Sequence, residues 1–178
     1  MLNFFPQPVF APETLSADRA SVQPYGHGLA GTLKVAYGKY AVAANVEDGD
    51  IFEMCKVPRN CLVVGGVFYT ADLDTGTEVL DMDVGWAANG GGAATFTDKN
   101  GTVWTNSGAN ASAAGFVNSG VLTGDAGGAV AVGNARLFSM QDGPWYFSEE
   151  TSVQVEANVA ANAFAAGNIV VVIHYILL

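Results

Sequence analysis

The sequence predicts an all-β protein, built as an antiparallel, jelly-roll-like β-sandwich. Two patterns support this prediction: short runs in which apolar and polar residues alternate, and polar turns rich in glycine and asparagine. Hydrophobic residues make up 50% of the 178 residues and charged residues only 13%, about half the usual share. This composition excludes a disordered, solvated chain. The length suits one domain with a substantial core.

An extended N-terminal arm is predicted over residues 1–27, ahead of a single sandwich domain over residues 28–178. Four of the six prolines lie in this arm, where they disfavour a helix or a central strand. Its apolar side chains need cover, so we expect the arm to lie along its own domain or a neighbour's surface. A disordered terminus is the alternative. These apolar interface candidates are Phe4, Phe5, Val9 and Phe10.

The first strands follow the arm. Apolar residues alternate over 33–37, and their parity shifts after Gly38, which predicts a β-bulge at that glycine. Residues 51–57 and 61–70 flank a Pro-Arg-Asn turn and are predicted to pair as a hairpin.

The clearest alternation lies in the run TEVLDMDVGW. Met82, Val84 and Trp86 are predicted to face the core, while Asp81 and Asp83 face solvent.

Residues 88–143 are predicted to form one long connection between the two halves of the sheet system. Within it, residues 112–122 can form a short helix capped by Asn110 or Ser112, with Phe116 packing down. A later stretch, AVAVGNARLFSM, fits either a strand or a helix.

Strands resume near the end of the chain. Residues 151–159 alternate again, and the final run, NIVVVIHYILL, is apolar on both faces. Such a run predicts a central strand or one covered by a subunit contact. Val170, Val172 and Ile176 are therefore further interface candidates.

Charge and targeting signals exclude several classes of function. A net charge of −10, with only seven Lys and Arg, disfavours nucleic-acid binding. No apolar stretch is long enough to span a membrane, and the N-terminus does not resemble a signal peptide. Without an export signal, we expect the chain to fold in a cytosol, where cysteines stay reduced. Cys55 and Cys61 are therefore expected to be thiols, with a cross-hairpin disulfide as the alternative.

Catalytic chemistry has no recognisable motif in this sequence, and we predict that the chain is not an enzyme. Of the two histidines, His27 lies in a turn, and His174 has a structural setting in the last strand. No nucleophile elbow, metalloprotease motif or paired-cysteine motif is present. No cofactor is expected.

Carboxylates are the one possible ligand set for a metal. Asp72 and Asp74 begin a D-x-D-x-G pattern, and Asp81 and Asp83 follow at alternate positions, as Ca²⁺ ligands can. The terminal Glu of a full calcium loop is missing, so these four are weak candidates beside an ordinary solvated turn.

Aromatic side chains leave a second function open. Trp104, Trp145 and Tyr146 could stack on sugars in a fibre-tip or lectin-like module that recognises surface glycans, or they could fill the core.

The order IFEMCKVPRNCLVVGGVFYTADLDTGTEVLDMDVGW resembles a group of small structural proteins of tailed-phage virions, usually encoded near the capsid gene. In that family a similar hairpin leads to a DLDtG and DVGw pattern, an Ala/Gly-rich stretch and a closing strand. The resemblance covers roughly residues 45–178. The matching pieces are residues 52–58, 72–76, 81–86, 111–122 and 166–175.

The resemblance implies a capsid decoration or cement protein on a β-sandwich, often trimeric, and it brings no catalytic residues. The implied partners are the major capsid protein and copies of this chain, with neither nucleic acid nor membrane. The implied location is the capsid surface of the virion, after synthesis in the host cytoplasm.

Overall fold

A computed structural model describes residues 33–75, 79–118, 134–138 and 143–178. This part of the chain contains eleven strands and one short 3-10 turn (Ser107–Ala109), and none of its helical residues forms a segment able to cross a membrane. The strands are β1 (Lys34–Val42), β2 (Ile51–Val57), β3 (Cys61–Thr70), β4 (Asp81–Trp86), β5 (Thr95–Thr97), β6 (Val103–Thr105), β7 (Ser112–Val117), β8 (Asn134–Leu137), β9 (Trp145–Phe147), β10 (Thr151–Val159) and β11 (Gly167–Leu177).

The strands form two antiparallel sheets and one separate hairpin, β5–β6. A five-stranded sheet has the order β1-β11-β3, with β8 and β9 both pairing to the other side of β3, and a four-stranded sheet has the order β2-β10-β4-β7. The pairing is nested, since β1 pairs with β11, β2 with β10, β3 with β8 and β9, and β4 with β7. The predicted antiparallel β-sandwich is confirmed.

The core lies between the two sheets, because alternate residues of each strand point inward. In β11 these are Ile169, Val171 and Ile173, all fully buried, so the prediction of a central strand is confirmed. In β10 the alternation also holds, except that Val159 is exposed where the strand passes a register shift.

Five aromatic rings fill one end of this core. Phe116 is fully buried at their centre, with ring centroids 4.7 Å from both Trp86 and Phe138 and 5.0 Å from Trp145. Phe147 lies 6.1 Å from the same ring. Rings from both sheets meet here, so this cluster joins the layers of the sandwich.

The predicted hairpin between β2 and β3 is wrong. The two strands lie in different sheets, with β2 paired to β10 and β3 paired to β11. The turn after Val57 carries the chain across the core, and Asn60 within it adopts a left-handed conformation (φ 52°). An alternating pattern on both sides of a short turn fits a hairpin and a crossing between two sheets equally well. The pairing of each strand with a strand far away in the sequence decides between the two.

The predicted bulge at Gly38 is also wrong, because β1 pairs with β11 in one unbroken register. Gly38 is required for a different reason. Any Cβ there would overlap the backbone carbonyl of Met54 on β2, so the glycine allows the two sheets to approach closely at this edge.

A helix over residues 112–122 is not observed in the part that the structure describes, where Ser112–Val117 form β7 instead. Pairing with β4 and burial of Phe116 override the weak local preference for helix. The region 88–143 is therefore more than a connection, since it contributes β7 to one sheet and β8 to the other.

Two asparagines, the buried Asn106 and the half-buried Asn89, fasten the β5–β6 hairpin to the sandwich. Asn89 and Asn106 exchange side-chain hydrogen bonds of 3.0 and 3.1 Å. Asn106 also accepts hydrogen bonds from the backbone amides of Gly108 and Ser148 and donates to the carbonyl of Gly92. One amide side chain thus satisfies donors and an acceptor on three separate segments.

Candidate functional site

The carboxylates proposed as weak metal ligands do not form a shared site in the structure. Asp74 is buried, and both of its oxygens accept hydrogen bonds from backbone amides: Oδ2 from Val79 and Leu80, and Oδ1 from Ala163. Its role is to fasten the loop after β3 to the loop between β10 and β11. No group of three or more potential metal ligands occurs within the described residues.

The other three carboxylates lie elsewhere. Asp72 is half-buried in the loop after β3, while Asp81 and Asp83 lie on β4. Asp83 was expected to face solvent but is buried, and its Oδ2 accepts a 2.7 Å hydrogen bond from Asn158 Nδ2 on β10. A polar neighbour on the adjacent strand therefore shields the carboxylate.

The aromatic side chains considered for sugar stacking do not form a common surface. Trp145 is buried because it pairs with Val63 on the inward face of β3 and packs against Phe116. Tyr146 is buried under Phe96. Trp104 remains half-buried on the hairpin. The prediction that Trp145 could stack on a sugar is wrong, because the strand register turns this indole into the core.

Both cysteines are free thiols, as expected. Burial raises the pKa of Cys55 to about 11 and that of Cys61 to about 12. High pKa values leave almost no thiolate at neutral pH, so neither residue has the character of an activated nucleophile. His174 lies on the outer face of β11, between Val35 of β1 and Gly65 of β3, and His27 lies outside the described residues.

The interface candidates of the last strand do share one surface. Val170, Val172 and Ile176 alternate with the buried residues of β11 and are half-buried on the outer face of the five-stranded sheet. Phe4, Phe5, Val9 and Phe10 lie outside the described residues.

An apolar row crosses this outer face along the strand register. Tyr37 of β1 lies opposite Val172 of β11, which lies opposite Val67 of β3, and Val67 lies opposite Leu137 of β8. We call these four residues the apolar row. Tyr37 is 59% exposed and Leu137 is 77% exposed, so the row is open at both ends. Adjacent to it, Val35 is 58% exposed.

Sequence reasoning missed the exposed members of this surface. The alternation of Val35 and Tyr37 was visible, but the supposed bulge at Gly38 obscured which parity faces the core. In an unbroken strand, side chains alternate between the two faces. If Gly38 and Val42 face the core, Val35 and Tyr37 must face outward, as the structure shows.

The opposite sheet presents a different outer face. Glu53 of β2 lies opposite Gln154 of β10, and Glu156 of β10 lies opposite Asp83 of β4. Asp81 lies at the end of the same face. Among the described residues this face therefore carries mainly carboxylates, with Lys56, opposite Ser152, as its basic side chain; we call it the acidic face.

Comparison with known proteins finds this fold in chains of solved phage capsids. No protein-family profile matches the chain, and no curated protein matches it. Solved structures do match. A chain in the capsid asymmetric unit of cyanophage Pam1 has a TM-score of 0.60 and 23% identity, covering 87% of this chain and 91% of its own.

Two further capsid structures are similar. A chain in the capsid of Ralstonia phage GP4 has a TM-score of 0.57 and 17% identity, covering 84% of this chain and 86% of its own. A chain in the acid-stable capsid of Helicobacter pylori bacteriophage KHP30 has a TM-score of 0.51 and 11% identity, covering 82% of this chain and 88% of its own. The resemblance to phage virion proteins is thus confirmed in the fold: this chain has the fold of chains found in three phage capsids.

Proposed function

We propose that this chain is a structural protein of a tailed-phage virion, and more narrowly a decoration or cement protein that stabilises the head by binding capsomers. The observation that carries the proposal is the match in fold to a chain of the Pam1 capsid over 87% of this chain. The match extends over 91% of that chain, so it is not confined to a common substructure.

The surface chemistry is consistent with this role. With charged residues at 13%, little repulsion opposes association, and an apolar outer face needs cover. The proposed partners are the major capsid protein and further copies of this chain, assembled as a homotrimer on the capsid surface. The protein would be made in the host cytoplasm and incorporated into the virion.

The N-terminal arm is the proposed contact with the capsomer. Phe4, Phe5 and Phe10 supply large apolar side chains that gain most from burial against a partner. Prolines among them restrict the free arm and so lower the entropy lost on binding.

Addition of purified protein to capsid shells that lack it tests the function. We expect co-sedimentation that saturates at a fixed ratio to the major capsid protein, and shells that withstand a higher temperature once saturated. Mass spectrometry of intact virions should find the chain in the same ratio. A chain absent from virions and unable to bind shells would refute the proposal.

The arm is tested in the same assay with full-length protein. A variant combining Phe4→Ser, Phe5→Ser and Phe10→Ser should bind shells much more weakly than wild type. Val103→Ser, at an exposed position of β6, is the control and should bind normally. Undiminished binding by the triple variant would exclude the arm as the capsomer contact.

A further inference from the structure

The outer face of the five-stranded sheet exposes large apolar side chains: Val35, Tyr37 and Leu137 are each more than half exposed. We propose that this face is the surface through which copies of this chain associate with one another. The inference rests on the proposed function and adds a second contact between copies: this face meets the same face of another copy, a two-fold contact separate from the three-fold contacts of the proposed homotrimer. The apolar row lies within this face.

The dimensions of the face suit a protein interface. Four strands about 4.8 Å apart give a width of about 19 Å, and the nine-residue β1 at about 3.3 Å per residue gives about 30 Å. The projected area is therefore at most about 570 Å² per copy, or about 1,100 Å² for a two-fold pair, because Phe96 already covers Tyr146 at the β9 end of the face. That lies close to the lower limit of about 1,200 Å² for stable, specific interfaces. Side chains that project from the sheet increase the buried area further.

Charge favours a second copy as the occupant. Each copy carries a net charge of −10, so two copies repel wherever their acidic residues meet. Among the outer-face residues of the five-stranded sheet whose side chains the structure describes, none is Asp or Glu, and the basic groups are Lys39 and His174. Two copies can therefore approach through this face with less repulsion than through the acidic face.

The acidic face explains why the other side of the sandwich is the poorer interface. Glu156 and Asp83 already face each other across β10 and β4. Among the described residues, Lys56 is the basic side chain of this face, and it already forms an ion pair with Glu150, so a second copy here would bring carboxylates mainly against carboxylates. Association through the apolar face leaves the four-stranded sheet uncovered, with Glu53 and Glu156 on its outer side.

A matched pair of substitutions tests the inference in full-length protein. Val35 and Val103 are the same residue type, with exposed fractions of 58% and 59%, but only Val35 lies on the proposed surface. Val35→Lys and, separately, Leu137→Lys should weaken self-association about tenfold or more, because each places a charge in the interface. Val103→Lys should leave it unchanged. Light scattering after size exclusion, over a range of protein concentrations, measures the mass.

Isotopically mixed cross-linking tests the same surface without substitutions. Wild-type copies labelled with ¹⁴N and ¹⁵N are mixed, and amine-reactive cross-links between differently labelled copies are identified. Lys39 on the apolar face should form such cross-links, whereas Lys56 on the four-stranded sheet and Lys99 at the hairpin tip should not. This result does not depend on the folding of any variant.

Several outcomes would overturn the proposal. These are a wild-type protein that stays monomeric at about 100 µM, an oligomer whose mass neither lysine variant changes, and inter-copy cross-links at Lys56 or Lys99 in place of Lys39. A monomer in which hydrogen exchange shows β1 and β8 protected by residues 1–32 would assign the face to the chain's own arm. Shell binding is measured separately, so failure here leaves the virion function standing.

Discussion

Replacing Asp74 with asparagine tests whether this carboxylate fastens two loops together. The residue is only 4% exposed, and its oxygens accept hydrogen bonds from the amides of Val79, Leu80 and Ala163 at 2.8, 3.1 and 2.7 Å. Asparagine has the same shape but one oxygen, so at least one buried amide meets an NH₂ group instead of an acceptor. An unsatisfied buried donor costs about 1–3 kcal/mol. We expect Asp74→Asn to lower the free energy of unfolding by about that amount.

The pH dependence of this effect follows from the carboxyl pKa. Desolvation raises the pKa of Asp74, but amide hydrogen bonds from Ala163, Val79, Asn162 and Leu80 together lower it more, so the folded-state pKa lies below 3.8. A depressed pKa means that the ionised group stabilises the fold above its unfolded pKa of about 3.9, and that this contribution is lost as pH falls through the folded value. The difference between wild type and Asp74→Asn should be constant from about pH 5 to 7 and shrink below about pH 4.

Urea unfolding followed by tryptophan fluorescence at pH 7, 5, 4 and 3 measures both effects. Asp48→Asn, at an exposed turn, is the matched control and should change stability little. Equal stability of Asp74→Asn and wild type at pH 7 would refute the loop-fastening role. If Ca²⁺ stabilised the wild type, EDTA reversed the effect and Asp74→Asn abolished it, Asp74 would be a metal ligand instead.

Three other predictions concern the polar network, the sheet edge and the thiols. Asn106→Ala should lower the free energy of unfolding by about 1–3 kcal/mol for each buried amide that it leaves unsatisfied, as measured by urea unfolding. A loss below about 0.5 kcal/mol would contradict the described network. Gly38→Ala should lower the melting temperature, because the new methyl group overlaps the Met54 carbonyl. Ala41→Val, on the exposed side of β1, is the control and should not lower it; equal effects of the two substitutions would refute the close approach of β1 to β2 at Gly38. Cys55 and Cys61 should react slowly with a thiol reagent at pH 8 and fully after unfolding, since burial raises both pKa values; rapid reaction of the folded protein would contradict their burial.

Sequence patterns predicted the strands and their buried faces correctly where the pattern depends on that strand alone. Alternation over β10 and two-sided apolarity over β11 follow from which faces are buried, and both strands lie where the patterns indicated. The inward positions Met82, Val84 and Trp86 of β4 were predicted for the same reason, and all three are buried. Such local signals depend on burial and not on the identity of the partner strand.

The failures concern pairing and close approach, which depend on residues far apart in the chain. The pattern around the turn at Pro58 fits a hairpin, yet β2 pairs with β10 and β3 with β11. Gly38 suggested a bulge because nothing nearby in sequence reveals that Met54 lies against it. Trp145 could have lain on either face of a three-residue strand, and only its register with β3 turned it inward. Tertiary contacts decide each of these cases.

The nested strand pairing has a consequence for how the chain acquires its fold. Partners lie closest in sequence at the centre of the nest, in β4 and β7, and farthest apart at its outside, in β1 and β11. Closure of the long outer loops costs the most entropy, so such topologies fold slowly. Among the described strands, β1 pairs with β11 alone, and β3 has one edge that β11 covers. Until β11 pairs, β1 therefore has no strand partner and β3 keeps an open edge, so we expect folding intermediates to be most prone to aggregate before this step.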